Sequence, residues 1–198
     1  MAKKEILEKL NRKMLACRKC DLRKSCTQVV PGAGSAKAEI MFIGEGPGKK
    51  EDQLGVPFVG AAGKFLDEML GTIKLKREDI YIANTVKCRP PKNRDPRPKE
   101  KEACWPWLIA QIKIINPKLI VTLGRHSMKL FLPDQKISEA HGKVVTQEIP
   151  EIGAKTFYVL YHPFAAICNG KIHKDLIKDL KRIPKVLKKI KETQDSIL

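Results

Sequence analysis

The sequence lacks any apolar run approaching the ~20 residues that a membrane-spanning helix needs, so no membrane partner is expected. It also lacks a signal-like start. "MAKKEILEKLNRKML" is charged and amphipathic, and the expectation is an intracellular, cytoplasmic protein. No internal repeat and no low-complexity tract is present. Acidic residues are scarce beside basic ones, 22 against 39, which leaves a net charge of +17. A field of that sign attracts polyanions, nucleic acid first among them. A lysine-rich thermophile surface is the bland alternative, but there Lys and Glu rise together. Here Lys rises without matching acids.

Two nucleotide-binding motifs are missing as well. The apolar run Ile40–Ile43 ends in Gly44-Glu45-Gly46-Pro47-Gly48, which first suggests a phosphate cradle. A phosphate loop needs G-x-x-x-x-G-K-[ST]. Here Gly63-Lys64 is followed by Phe65, and position 58 is Phe rather than Gly. A dinucleotide fingerprint needs G-x-G-x-x-G opening directly into a helix. Lys49 stands where its third glycine would be, and the next helical pattern begins more than a dozen residues on. Glu45 would also oppose a phosphate. The loop suits a neutral or cationic ligand, or a reactive water.

What is present is an alternation of strands and helices over 198 residues, a length that suits one domain, 1–198. Four apolar runs, 38–44, 80–85, 118–124 and 156–162, read as buried strands. Helical patterns follow at about 62–73, 99–116, 125–132 and 172–191, and residues 3–16 form a first helix. The segment 136–156 alternates and reads as a hairpin or edge strand. The fold class is α/β: a three-layer α/β/α sandwich around a central, mostly parallel four-stranded sheet. Residues 1–30 carry the first helix and a cysteine loop, and 171–198 a basic C-terminal helix. Ligands of such sheets sit beyond the carboxyl ends of the strands. That places Gly44–Gly48, Asn84 and His162 at one edge. Phe58 lies in the turn "GVPFVGAAG". An aromatic face, an amide and an imidazole at one edge fit a flipped nucleobase.

Six cysteines in a reducing compartment need an explanation other than disulfides. Cys17 and Cys20 form C-x2-C, and Cys88 and Cys104 lie in distant segments. Four such thiolates, favoured by the surrounding Lys and Arg, make a tetrahedral site for zinc or an iron–sulfur cluster. Spacing alone does not choose between them. Cys26 is close enough in sequence to replace a ligand, and Cys168 reads as a packed thiol.

The pieces "CRKCDLRKSCTQVVPGAG", "GEGPGKKEDQLGVPFVGAAGKFLDEML", "ANTVKCRPP", "ACWPWLIAQI", "PKLIVTLG" and "YHP" span residues 17–163 in order. In them the chain resembles the family-4, iron–sulfur uracil-DNA glycosylases. The resemblance implies a monofunctional enzyme of DNA base excision repair. It would hydrolyse uracil from DNA by base flipping and water attack, leaving an abasic site. It implies that Cys17, Cys20, Cys88 and Cys104 hold a [4Fe-4S] cluster, zinc being the alternative. It implies that Glu45, Gly46 and Pro47 wall the uracil pocket, Phe58 stacks on the base, Asn84 reads O4 and N3–H, and His162 donates to O2. Family-1 relatives carry Asp at the position of Gly46 and Tyr at that of Gly48. Glu45 is therefore the candidate water activator, with Glu51 and Asp52 in reserve. Ile167 or Phe164 would fill the vacated base stack. Basic residues of the loop 87–101 (Arg89, Lys92 and Arg94 among them) and Lys171, Lys174 and Lys178 would meet phosphates. The partner is uracil-containing DNA and the chain a monomer. The tail "QDSIL", 194–198, carries a faint likeness to a sliding-clamp motif whose aromatic end is missing.

Overall fold

The computed structural model describes residues 1–195. The central sheet has six strands in the order β1-β3-β2-β4-β6-β5. Its parallel core is β3 (Tyr81–Asn84), β2 (Ile40–Gly44), β4 (Leu119–Leu123) and β6 (Gly153–Leu160). These are the four apolar runs expected as strands. Two antiparallel edges extend the expected four-stranded sheet. β1 (Ala33–Gly34) is two residues long, too short for any periodicity, and pairs with β3. β5 (Val144–Ile149) is the alternating segment and pairs with β6.

Alternation along each central strand divides two cores. Met41, Ile43, Tyr81, Ala83 and Ile120 face one side. There they meet Leu7 of α1 (Lys3–Leu15), Leu108 and Ile112 of α5 (Pro98–Ile115), and Met128 of α6 (Arg125–Phe131). Ile40, Phe42, Ile82, Leu119 and Val121 face the other side. They pack on Leu66 and Leu70 of α4 (Ala61–Thr72), Leu176 of α9 (Gly170–Leu180) and Ile183 of α10 (Ile183–Asp195). A strand with both faces covered reads as a continuous apolar run, which is why "IMFI" shows no polar alternation.

Two helices depart from expectation. The C-terminal helical pattern is split into α9 and α10. Pro184 lacks an N–H and is tolerated in the first turn of a new helix, not inside a continuous one. The glycine loop opens at once into a short helix, α3 (Lys49–Leu54), closed by left-handed Gly55 at φ 71°. Six residues are too few to show helical periodicity. Among the described residues no helix is long and apolar enough to cross a membrane. The side chains of 194–198, where the clamp-like tail falls, lie outside the described residues.

Candidate functional site

A cavity of about 570 Å³ opens at the carboxyl edge of the sheet. Its lining brings together Glu45, Gly46, Pro47, Phe58, Asn84 and His162, from four separate segments. β2 delivers the glycine loop, β3 ends on Asn84, and β6 runs out just before His162. The backbone of the loop is fixed. Thr85 N–H donates to Gly44 O at 3.0 Å, and Val86 N–H donates to Glu45 O at 3.1 Å.

Asn84 is 2% exposed, and its Oδ1 has no hydrogen-bond partner. A buried amide oxygen without a donor is costly, and this one is free to accept an N–H. Lys87 Nζ grips the Asn84 carbonyl at 2.9 Å and Gln111 Oε1 at 2.7 Å, which fixes the residue from behind. Gly44 lies under the amide. A Cβ there would stand 2.5 Å from Asn84 Oδ1 and 2.6 Å from Phe58 Cζ. The Phe58 ring is in turn 5.8 Å from the His162 ring.

His162 caps α8 (Pro163–Cys168), and its Nδ1 accepts the Phe164 N–H at 3.1 Å. A proton is therefore left for Nε2. Burial, with a smaller contribution from His126, lowers the His162 pKa to about 4, against the pull of Glu51. The imidazole is a neutral donor near pH 7.

Glu45 is half-buried. Burial raises its carboxyl pKa first and Asp95 second, while Lys101 and Arg125 oppose them. His126 Nε2 lies 3.6 Å from Glu45 Oε2 and 3.2 Å from Asp95 Oδ2. Arg125 holds Asp95 at 3.1 Å. Sequence reasoning missed His126 and Asp95. The available signal was the end of β4, which reaches the same sheet edge just before His126. Of the reserve carboxylates, Glu51 lines the same cavity, whereas Asp52 does not. Glu51 Oε1 accepts the Val59 and Gly60 N–H groups at 2.9 and 2.7 Å. Asp52 accepts from Thr27 N–H at 2.9 Å. Both belong to the scaffold of the loop.

The four candidate cysteine ligands line a second, much smaller space of about 20 Å³, beside Met14, Leu22 and Val86. Trp107 Nε1 donates to Cys17 Sγ at 3.2 Å, and Lys87 N–H to Cys104 Sγ at 3.3 Å. Burial raises the thiol pKa of Cys20, Cys88 and Cys104. Of the basic neighbours expected to favour thiolates, Lys87 lowers the Cys104 pKa, but burial outweighs it; a bound metal centre would have to supply the rest. Cys26 is buried beside Cys88 and does not line the space. Cys168 is exposed, not packed.

A family model described as the uracil DNA glycosylase superfamily matches residues 31–182. A type-4 uracil-DNA glycosylase of Archaeoglobus fulgidus is 46% identical, over 90% of this chain and 92% of the relative. One from Sulfurisphaera tokodaii is 47% identical over 89% and 83%, and one from Thermotoga maritima 39% identical over 94% and 97%. The chain belongs to the type-4 uracil-DNA glycosylase family.

As a glycosylase fold, the chain carries its apolar and basic side chains around the cavity mouth unevenly. Phe164 and Ile167 of α8 are 57% and 47% exposed, and Phe164 reaches the cavity lining. Lys171 and Lys92 are exposed. Three of the expected phosphate contacts have partners within the chain. Lys87 is 2% exposed and cannot reach a backbone phosphate. Arg94 pairs with Glu100 through both guanidinium ends, at 2.9 and 2.6 Å. Arg89 Nε donates to Asn93 Oδ1 at 2.7 Å, which braces the loop.

Proposed function

We propose that the chain is a monofunctional uracil-DNA glycosylase that flips uracil into the 570 Å³ cavity and hydrolyses its N-glycosidic bond. The single observation that carries the site assignment is Asn84: a buried amide whose Oδ1 lacks a partner, facing a pocket walled by an aromatic ring. Its Oδ1 accepts uracil N3–H, and its Nδ2 donates to O4. Cytosine presents the reverse pattern, and a site left with unpaired polar groups rejects its ligand strongly. Phe58 supplies the stacking face.

Bond breaking leaves an oxocarbenium-like sugar and a uracil anion. His162, neutral because its pKa is held near 4, donates Nε2–H to O2 as charge gathers there. Removing such a preorganised donor costs about 3 kcal/mol in the transition state. Glu45 orients the attacking water and takes its proton. Uracil departs as the anion, and the water's remaining hydroxyl bonds to C1′.

Cys17, Cys20, Cys88 and Cys104 hold a [4Fe-4S] cluster in this reading. The donor set suits it: four sulfurs, no carboxylate or imidazole among them, and apolar walls. A zinc ion with Zn–S near 2.3 Å would draw tetrahedral sulfurs to about 3.8 Å of one another. A [4Fe-4S] cluster spaces its four thiolates more widely, so metal analysis separates the two. Its contribution is structural, tying α1, the segment after β3 and α5 together.

The chain acts on DNA as a monomer, with Phe164 or Ile167 entering the vacated stack and Lys92 and Lys171 on phosphates. The deciding experiment uses a uracil-containing oligonucleotide, incubated with the purified metal-loaded protein and then treated with alkali. Strand breaks at the uracil position are expected after alkali and not before it. An intact strand after alkali overturns the reading. Breaks that need no alkali would point to a bifunctional lyase.

A further inference from the structure

Five non-glycine residues have a positive φ among those described: Phe58, Lys74, Lys92, Asn93 and Asn116. Four are exposed, and only Phe58 is buried, at 5% exposure with φ 53°. A bulky aromatic in this region is an outlier that the surrounding structure must impose. Two features impose it. Arg77, in the loop between α4 and β3, donates from Nη1 to Pro57 O at 2.9 Å and from Nη2 to Phe58 O. Its Nε donates to Asp67 Oδ1 at 2.7 Å, and Nη2 lies 3.2 Å from Asp67 Oδ2. The guanidinium thus spans two successive carbonyls and one carboxylate. α4 also presents Gly63, where a Cβ would stand 1.7 Å from Phe58 O. The Phe58 carbonyl is bonded by Arg77 and lies against Gly63 of α4, and its ring lies against Gly44 at the cavity.

We propose that Arg77, oriented by Asp67, is a positioning residue for base recognition: it fixes the Pro57–Phe58 backbone and so sets the plane on which the flipped base stacks. Arg77 itself does not line the cavity. The role demands arginine. Five N–H donors in one plane reach four acceptor atoms at once, whereas an ammonium is a single point of charge. The inference rests on the uracil-excision reading for its functional half; its structural half stands on the Phe58 conformation alone.

The test separates the two. Arg77→Met, Arg77→Lys and Phe58→Ala are made in the full metal-loaded chain. Single-turnover rates on a uracil oligonucleotide and inhibition by free uracil are then measured. Arg77→Met is expected to weaken free-uracil inhibition about tenfold, and in the Phe58→Ala background to add less than about twofold, because coupled residues are non-additive. Arg77→Lys does not restore binding. Equal fold losses in both backgrounds, or unchanged uracil inhibition in Arg77→Met, overturn the proposal. Fluorine NMR of fluorophenylalanine-labelled protein reads the ring directly. The Phe58 signal, identified by its loss in Phe58→Ala, should move or broaden in Arg77→Met while the other five phenylalanine signals hold. An unmoved Phe58 signal overturns the proposal whatever the enzyme does. Should Arg77→Met fail to fold, Asp67→Asn frees the guanidinium without removing it and carries the same expectations. Wild-type protein that neither releases nor binds uracil would sink the excision reading, while the Phe58 signal still tests the clamp.

Discussion

His126 Nε2 lies 3.6 Å from Glu45 Oε2, behind the wall of the cavity. Asp95 shares the same nitrogen at 3.2 Å, and Arg125 Nε approaches it at 2.9 Å. The carboxylate proposed to handle the water is therefore not isolated. It belongs to a small network whose charges set its ionisation.

Replacing Glu45 by Gln should lower the single-turnover rate by about 10²–10⁴-fold, the usual range for a lost general base, with binding of uracil-containing DNA retained. The pH dependence has a definite sign. Burial and Asp95 raise the Glu45 pKa, against Lys101 and Arg125, so the acid limb of the rate lies above the ordinary carboxylate range. The base works ionised, so the rate falls as pH drops through that raised value. Asp95→Asn removes one raising charge and should move the limb to lower pH. A full rate in Glu45→Gln, or a limb unmoved in Asp95→Asn, would count against Glu45 as the base.

Asn84→Asp tests the reading edge. An ionised Asp cannot donate to O4, so uracil release should fall by at least about 10²-fold, while a protonated Asp matches cytosine and should allow some cytosine release. Product analysis by chromatography on uracil- and cytosine-containing oligonucleotides gives both numbers. Unchanged selectivity would remove Asn84 from the pocket assignment.

The parallel core was legible because both faces of β2, β3, β4 and of the second half of β6, Phe157–Leu160, are buried, which writes each as a mostly apolar run. The strand-end rule then led to Asn84 and His162 from sequence alone. What stayed hidden was short or three-dimensional. β1 spans two residues and α3 six, less than either needs to show a period. The pairing of Arg94 with Glu100 crosses six residues in a proline-rich loop whose path no pattern reveals. Lys87 looked like a phosphate contact because charge in a basic loop is ordinarily exposed. Its side chain turns inward to Asn84 O and Gln111, a choice set by β3 and α5 together. Arg77 is the same case: nothing in "KLKRED" announces that its partners are Pro57, Phe58 and Asp67.

The proposed cluster divides the cysteines into four ligands and two bystanders, and colour tests that division. Purified protein should be brown, with broad visible absorption and about four irons and four sulfides per chain if the cluster is [4Fe-4S]. Cys88→Ser and Cys104→Ser should lose the absorption and lower the Tm. Cys168→Ser, at an exposed position, should keep both. Cys26→Ser should keep the colour, since Cys26 does not line the shared space. A colourless protein carrying one zinc would replace the cluster reading.

Gly44→Ala is the sharpest single test of the glycine loop. Gly44 has ordinary backbone angles, so alanine introduces no conformational strain, and the change is purely one of space. The new methyl would meet Asn84 Oδ1 at 2.5 Å and the Phe58 ring at 2.6 Å, both closer than contact allows. Asn84 is pinned from behind by Lys87, and Phe58 is pinned by Arg77, so neither can yield freely. The amide and the ring must each shift by a few tenths of an ångström or more. Misplacements approaching 1 Å cost on the order of 10²-fold in rate, and the loss should appear in free-uracil binding as well. Circular dichroism should show the fold intact. If Gly44→Ala keeps wild-type rate and uracil affinity, the base does not sit between Asn84 and Phe58. The glycine would then serve the sheet edge rather than the pocket.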